Sequence, residues 1–221
     1  MKKIIYFFGG LTVFIVLISP LFIKIKIECK SQLDECPSET NVKLQMLNAK
    51  SLLTAKRLAS KILKNDYLIS NFTMQLKLPN TLLINVIVKK PIFSIFDKSQ
   101  NKYFLIDING IVLASSDSSN LPTLIKDSVG EKEGQKITEA DLFALKLIQG
   151  INQMYQINIG VTQNDTLVVD MPGRIRVILP LDATDVAVLL GSLRLIYTKV
   201  TTDNPVIYSQ IDMRYKNPVI R

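Results

Sequence analysis

The side chains that carry most protein chemistry are thinly spread along this 221-residue chain. It has no histidine, which removes together the usual general base, the commonest metal ligand and any Ser/His or Cys/His triad. Two cysteines without histidine cannot assemble a Cys/His zinc site. A serine–lysine dyad needs no histidine, and Ser99-Gln100-Asn101-Lys102 has that spacing. The motif lies in a polar hairpin loop rather than at a helix start, and neither S-D-N nor K-T-G follows, so it reads as a solvated turn. Asp107, Asp170 and Asp212 fall near strand ends. A facing pair of carboxylates would suit glycoside hydrolysis, but nothing in the sequence directs two of them to one cleft. Asp107 precedes Asn109-Gly110 and is expected to accept backbone N–H groups in that turn. Asp212 and Arg214, two apart on a strand, are expected to pair on one face. No catalytic residue, cofactor site or metal site is expected, and the chain reads as a non-enzyme. Cys29 and Cys36 are spaced wrongly for a C-x-x-C redox centre. In an oxidising space outside the cytoplasm they are expected to form a structural disulfide, with two free thiols as the alternative.

The balance of 27 basic and 19 acidic residues gives a net charge of +8, which favours contact with anionic lipid or polymer. No basic run is longer than Lys89-Lys90 and no aromatic-interleaved basic motif occurs, so nucleic acid is not an expected partner. Ile4–Ile23 is twenty residues without a charge, enough at 1.5 Å per residue to cross a hydrocarbon core of about 30 Å. A cleaved signal peptide competes with this reading, but no A-x-A-like site is present and Pro20 follows Ser19 directly. The expectation is a single transmembrane helix over 4–23, a cytoplasmic tail of residues 1–3, and the rest of the chain outside the cell membrane. Lys2 and Lys3 support that orientation; Lys24, Lys26 and Lys30 oppose it.

The exported part reads as α+β. Ile23–Cys29 alternates with the period of a strand. A short helix is expected over Pro37–Leu47, with Ser38 as its cap, then a link over Ala49–Leu53. Thr54–Lys64 is an amphipathic helix with Ala55, Leu58, Ala59, Ile62 and Leu63 on its apolar face. Ile69–Leu78 and Thr81–Val88 are strands, the second rich in branched residues and bounded by Pro79 and Pro91. Strands over 92–97, 102–108 and 111–115 follow, the last two joined by Asn109-Gly110 as a two-residue hairpin turn. Ile125–Gln135 is expected as a loop. Thr138 should cap a helix with Asp141 at its third position, bending at Gly150. Ile157–Thr162, Leu167–Met171 and Arg174–Leu179 are three more strands, with Pro172-Gly173 turning between the last two. Asp182 is expected to cap a helix through Tyr197. A last strand should run from about Val206 to Tyr215, with Val219–Arg221 continuing it past Pro218.

Three of these stretches together resemble the FtsQ/DivIB family of bacterial cell-division proteins. They are LPNTLLINVIVKKP over 78–91, YFLIDINGIVL over 103–113, and the closing Ile211-Asp212-Met213-Arg214-Tyr215. The chain departs from the family pattern at Lys89-Lys90-Pro91, where an acidic–basic pair is usual before the proline, and at Pro180, where many members have glycine. The resemblance implies a POTRA-like module over 24–91, whose strand–helix–helix–strand–strand order agrees with the pattern above, then a mixed β domain with two helices over 92–221, ending in an edge strand. It also implies a septum scaffold that binds other divisome proteins, including FtsB/FtsL-like bitopic subunits, and turns over no small molecule. Carried over by position, Tyr215, Lys216, Val219, Ile220 and Arg221 are the expected partner contacts. An exposed strand edge can accept a strand from another chain, which gives the expectation its physical basis. A secretion or pilus-assembly component that reuses the POTRA module is the alternative.

Overall fold

The computed structural model describes residues 24–33, 35–182, 185–202 and 208–221. The expected transmembrane segment and cytoplasmic tail lie outside the described residues. The chain divides into two compact units, one ending at Lys89 and the other beginning at Lys90. Each has its own hydrophobic core, and the two cores share no residue.

In the first unit the order is β1 (Lys26–Ser31), α1 (Ser38–Gln45), α2 (Leu52–Lys64), β2 (Ile69–Lys77) and β3 (Thr81–Val88). β3 lies in the middle, parallel to β1 and antiparallel to β2. Its alternation places Leu82, Ile84 and Val86 in the core, opposite Ala55, Ala59 and Leu63 of α2. The strand–helix–helix–strand–strand order read from the sequence is present. Its boundaries differ: β1 runs from Lys26 to Ser31 instead of 23–29, α1 stops at Gln45 instead of Leu47, and both helices start elsewhere than expected. Pro37, not Ser38, is the residue before α1, and Ser38 is already helical. α2 starts at Leu52, so Ser51 takes the N-cap position, although its side chain bonds Thr54 Oγ1 instead of the helix backbone. Cys29 and Cys36 are joined by a disulfide across the β1–α1 connection, with Cα atoms 5.9 Å apart.

The second unit is a mixed nine-stranded sheet with two long helices. Its strands are β4 (Phe93–Asp97), β5 (Lys102–Ile106), β6 (Val112–Ser116), β7 (Thr123–Lys126), β8 (Ile159–Gln163), β9 (Thr166–Met171), β10 (Ile175–Pro180), β11 (Gln210–Asp212) and β12 (Val219–Ile220). The sheet order is β12-β11-β10-β9-β8-β7-β4-β5-β6. Helix α3 (Glu139–Tyr155) packs on β7 and β8, and α4 (Val186–Thr202) packs on α3. Thr138 Oγ1 accepts the Asp141 N–H at 3.1 Å, the expected cap. Gly150 does not end or interrupt α3; it makes room for α4, since a Cβ there would lie 2.1 Å from Leu190 Cδ1.

Several expectations are corrected. The Asn109-Gly110 turn is not a two-residue hairpin. Gly110 donates to Asp107 O and Asp107 donates to Ile111 O, which leaves residues 108–110 as a three-residue loop closed by Gly110 at φ 83°. The stretch from Ile125 contains part of β7, a four-residue strand held between β4 and β8 in the middle of the sheet. At α4 the N–H groups of Ala187 and Val188 donate to Asp185, not to Asp182, and the helix runs on to Thr202. The last strand does not continue through Tyr215 and past Pro218. β11 stops at Asp212, the chain turns, and β12 comes back antiparallel to it.

Candidate partner-binding edge

The end of the second unit is assembled by one ion pair and a short ladder. β11 runs parallel to β10, with Ile211 against Val177. Asp212 ends the strand with its carboxylate buried, and Arg214 grips it from two residues on. Arg214 Nε reaches Asp212 Oδ1 at 2.9 Å, Nη2 reaches Oδ2 at 2.6 Å, and the Arg214 N–H donates to Oδ1 at 3.1 Å. The pair forms, but across a turn, because β11 ends at Asp212 and Arg214 lies in the bend that follows. The Arg214 bonds hold the Asp212 carboxyl below its ordinary value of 3.8, against the upward push of burial. The guanidinium carbon also sits 5.8 Å from the Tyr215 ring centroid, within range of a cation–π contact. The reversal over 213–218 is thereby fixed at its first residues.

Beyond the turn, Val219 lies opposite Asp212 and Ile220 opposite Ile211. Arg221 completes the ladder: its N–H donates to Gln210 O at 2.9 Å, and its carbonyl accepts from Gln210 N at 3.0 Å and Ser209 N at 2.7 Å. In an antiparallel pair the backbone groups alternate in direction, so with Val219 and Arg221 turned inward the N–H and C=O of Ile220 face outward. Pro218 offers no N–H. Ile220 extends the row of Ile211, a core residue, to the margin of the sheet, where it is 39 % exposed.

The expected contact residues thus fall into two groups. Val219 and Ile220 form the strand and Arg221 extends its bonding by one residue, while Tyr215 and Lys216 stand exposed in the turn before it. The opposite margin of the same sheet is built differently. Val112 of β6 donates to Gln135 O and accepts from Gly134 N, Ile111 bridges Lys136, and Ser115 N donates to Glu133 Oε1. Residues 133–136 therefore cover β6, which is one way a protein blunts an exposed edge. No described residue plays that part for β12. In the first unit β1 is covered by the α1–α2 connection, through Ile25 N–Lys50 O, Ala49 N–Ile25 O and Ile27 N–Asn48 Oδ1, and β2 is the open margin.

The residues weighed for catalysis are occupied in local structure. The Ser99 hydroxyl donates to Asp97 Oδ1 at 2.6 Å within the β4–β5 turn. Asp107 accepts the Asn109 and Ile111 N–H groups at 2.9 and 2.8 Å. Asp170 pairs with Arg176 across β9 and β10. Among the described residues no group of three or more His, Cys, Asp or Glu side chains could hold a metal ion. No helix among them is long and apolar enough to cross a membrane.

No protein-family model matches the chain. The cell division protein DivIB of Clostridium acetobutylicum is 30% identical to it over 189 residues, which cover 81% of this chain and 74% of that protein. The chain belongs to the DivIB family. That match spans too much of both proteins to rest on either unit alone. Sequence reasoning missed the cover over β6 and the outward-facing Ile220 backbone. Neither has a residue signature, since each depends on which strand the fold leaves last in its sheet.

Proposed function

We propose that the protein is a non-enzymatic cell-division scaffold, anchored by residues 4–23 in the cell membrane, with a POTRA-like first unit and a β-rich second unit outside the cytoplasm. Its partner is a bitopic division protein of the FtsB/FtsL type, which adds a strand to β12. The observation that carries this reading is the contrast between the two margins of the nine-stranded sheet, β6 covered by residues 133–136 and β12 uncovered among the described residues. Backbone bonds from an added strand would go to Ile220, and the partner's side chains would meet Ile220 and the exposed Tyr215 and Lys216 of the turn. Family membership supplies the division context. The second reading is a POTRA-containing secretion or pilus-assembly component, which the open margin of β2 in the first unit would serve.

Ile220→Pro tests the reading with little disturbance of the fold. Its missing N–H is the outward one, and proline is tolerated on the solvent side of an edge strand. The full chain, reconstituted in lipid discs, is titrated with the small bitopic coiled-coil proteins of the same cell. Binding should weaken about tenfold or more, equivalent to about 1.4 kcal/mol, while the circular dichroism of the variant stays that of the parent. Unchanged affinity would remove β12 as the docking strand.

A further inference from the structure

The net charge of the exported chain is not shared between its units. Residues 24–89 hold 11 basic and 5 acidic residues, a net of +6, whereas residues 90–221 hold 14 of each. Within the first unit, four lysines gather at one end. Lys24 bridges Ser51 at the start of α2, and Ile25 N–H donates to Lys50 O. Lys26 pairs with Thr81, which pairs with Lys77, and its N–H donates to Asn80 O at 2.9 Å. Lys24, Lys26, Lys50 and Lys77 are all exposed, and none of them is in an ion pair among the described residues. No acidic residue occurs in 24–27, 46–54 or 76–82, the segments that make this end. The first turn of α2 has no acid either, so the positive pole of that helix adds to the lysines instead of being neutralised.

The same end shows large apolar side chains to solvent. Leu78, in the β2–β3 turn, is 81 % exposed, and Leu53, in the first turn of α2, is 52 % exposed. Apolar tips ringed by lysines are the composition of a surface that rests in a lipid headgroup layer. The position in the chain agrees. The uncharged run Ile4–Ile23 ends one residue before Lys24, and a segment of that length that spans the bilayer delivers Lys24 at headgroup level.

We infer that this end of the first unit is a docking surface for anionic phospholipid: Leu53 and Leu78 enter the interface and the four lysines contact the headgroups. The inference rests on the membrane-anchor reading proposed above. Each lysine near an anionic surface contributes about 1 kcal/mol, or about fivefold in partitioning, so the docked state should depend steeply on lipid charge and on salt.

The test is amide hydrogen exchange on the full chain in two kinds of lipid disc, phosphatidylcholine alone and phosphatidylcholine mixed with phosphatidylglycerol. Exchange across 46–54 and 77–81 should slow about fivefold or more in the anionic discs. The slowing should vanish in high salt and in a K24E/K50E/K77E variant, while the amides of β3 exchange as in the parent and so report an intact fold. Equal exchange in both discs, with the protein retained in them, overturns the inference and leaves the anchor standing. Slowing produced by soluble polyglutamate but not by lipid charge would give the surface to an acidic protein and overturn it equally. A chain that does not stay with the discs fails at the anchor, and the inference falls with it.

Discussion

Asp97 shows what a single carboxylate does when the chain commits it to structure. It is wholly buried at the end of β4 and takes five bonds: Oδ1 accepts the N–H and hydroxyl of Ser99 and the N–H of Gln100, and Oδ2 accepts the Gln100 side-chain amide and the Val129 N–H. The Val129 bond ties the loop after β7 to the β4–β5 turn, 32 residues away in the chain. Burial pushes the carboxyl upward, but the bonds from Ser99, Val129 and Gln100 outweigh it and hold it below its ordinary value of 3.8. A carboxyl depressed by folding stabilises the protein fully above its unfolded value. That contribution is lost as pH falls through the folded value. Asp97→Asn should therefore cost about 2–3 kcal/mol near neutrality, since the amide must present a donor to N–H groups that need an acceptor. Urea titrations at neutral pH and below pH 4 should show the gap between parent and variant shrinking in acid. A gap that stays constant across that range would mean the carboxylate's charge is not what matters.

At the scale of elements, what was readable in the sequence was whatever carried its own periodicity or its own cap. Thr81–Val88 alternates and is bounded by prolines, and it is the central strand of its sheet. Thr138 and Asp141 mark the start of α3 because the Thr138 hydroxyl accepts the Asp141 N–H and donates to the Asp141 carboxylate, all inside one turn. β7 left no such mark: Thr123-Leu124-Ile125-Lys126 is too short for a period and owes its extension to the parallel neighbours on both sides. The reversal at Asp212 has no mark for a related reason. The spacing of Asp212 and Arg214 predicts their pairing but not its setting, since a strand and a turn both bring residues two apart within reach. Asp141 carries a second duty that only the fold reveals. Its carboxylate, almost fully buried, meets Lys126 Nζ at 2.8 Å and so joins α3 to β7. Asp141→Ala should cost about 3–5 kcal/mol, because it strands the Lys126 ammonium and removes the carboxylate that accepts the Thr138 hydroxyl, although the Asp141 N–H keeps its cap bond. The double variant Asp141→Leu/Lys126→Met should be more stable than Asp141→Ala, measured by the same denaturation. Gly160, where β8 meets α3, sets how closely the helix can lie. A Cβ there would come within 2.7 Å of Leu167 Cδ1 and 2.9 Å of Ile148 Cδ1, both on fully buried side chains. Gly160→Ala should lose about 1–3 kcal/mol of stability by overpacking, and a variant as stable as the parent would mean that the helix moves aside freely.

For the whole molecule, the separation into two cores has a thermodynamic consequence. The first core is built on Leu82, Ile84 and Val86 against α2. The second is larger and runs from Phe93 of β4 to Met213, just past β11. Since no residue belongs to both, each unit is expected to unfold as its own cooperative transition, and a perturbation confined to one should leave the other's midpoint in place. The disulfide supplies such a perturbation. It joins residues seven apart in the first unit only, and in the chain-entropy model so short a loop is worth about 2–3 kcal/mol. The double variant Cys29→Ser/Cys36→Ser should lower one transition in a calorimetric scan by several degrees. The other, carrying the larger enthalpy because it belongs to the larger unit, should not shift. Acid should move the transitions the other way round. The depressed carboxyls of Asp97 and Asp212 both belong to the second unit, so a fall in pH below 4 should lower its midpoint whether or not the disulfide is present. If removing the two cysteines shifts both transitions together, the units are coupled and the two-core description fails as a description of stability.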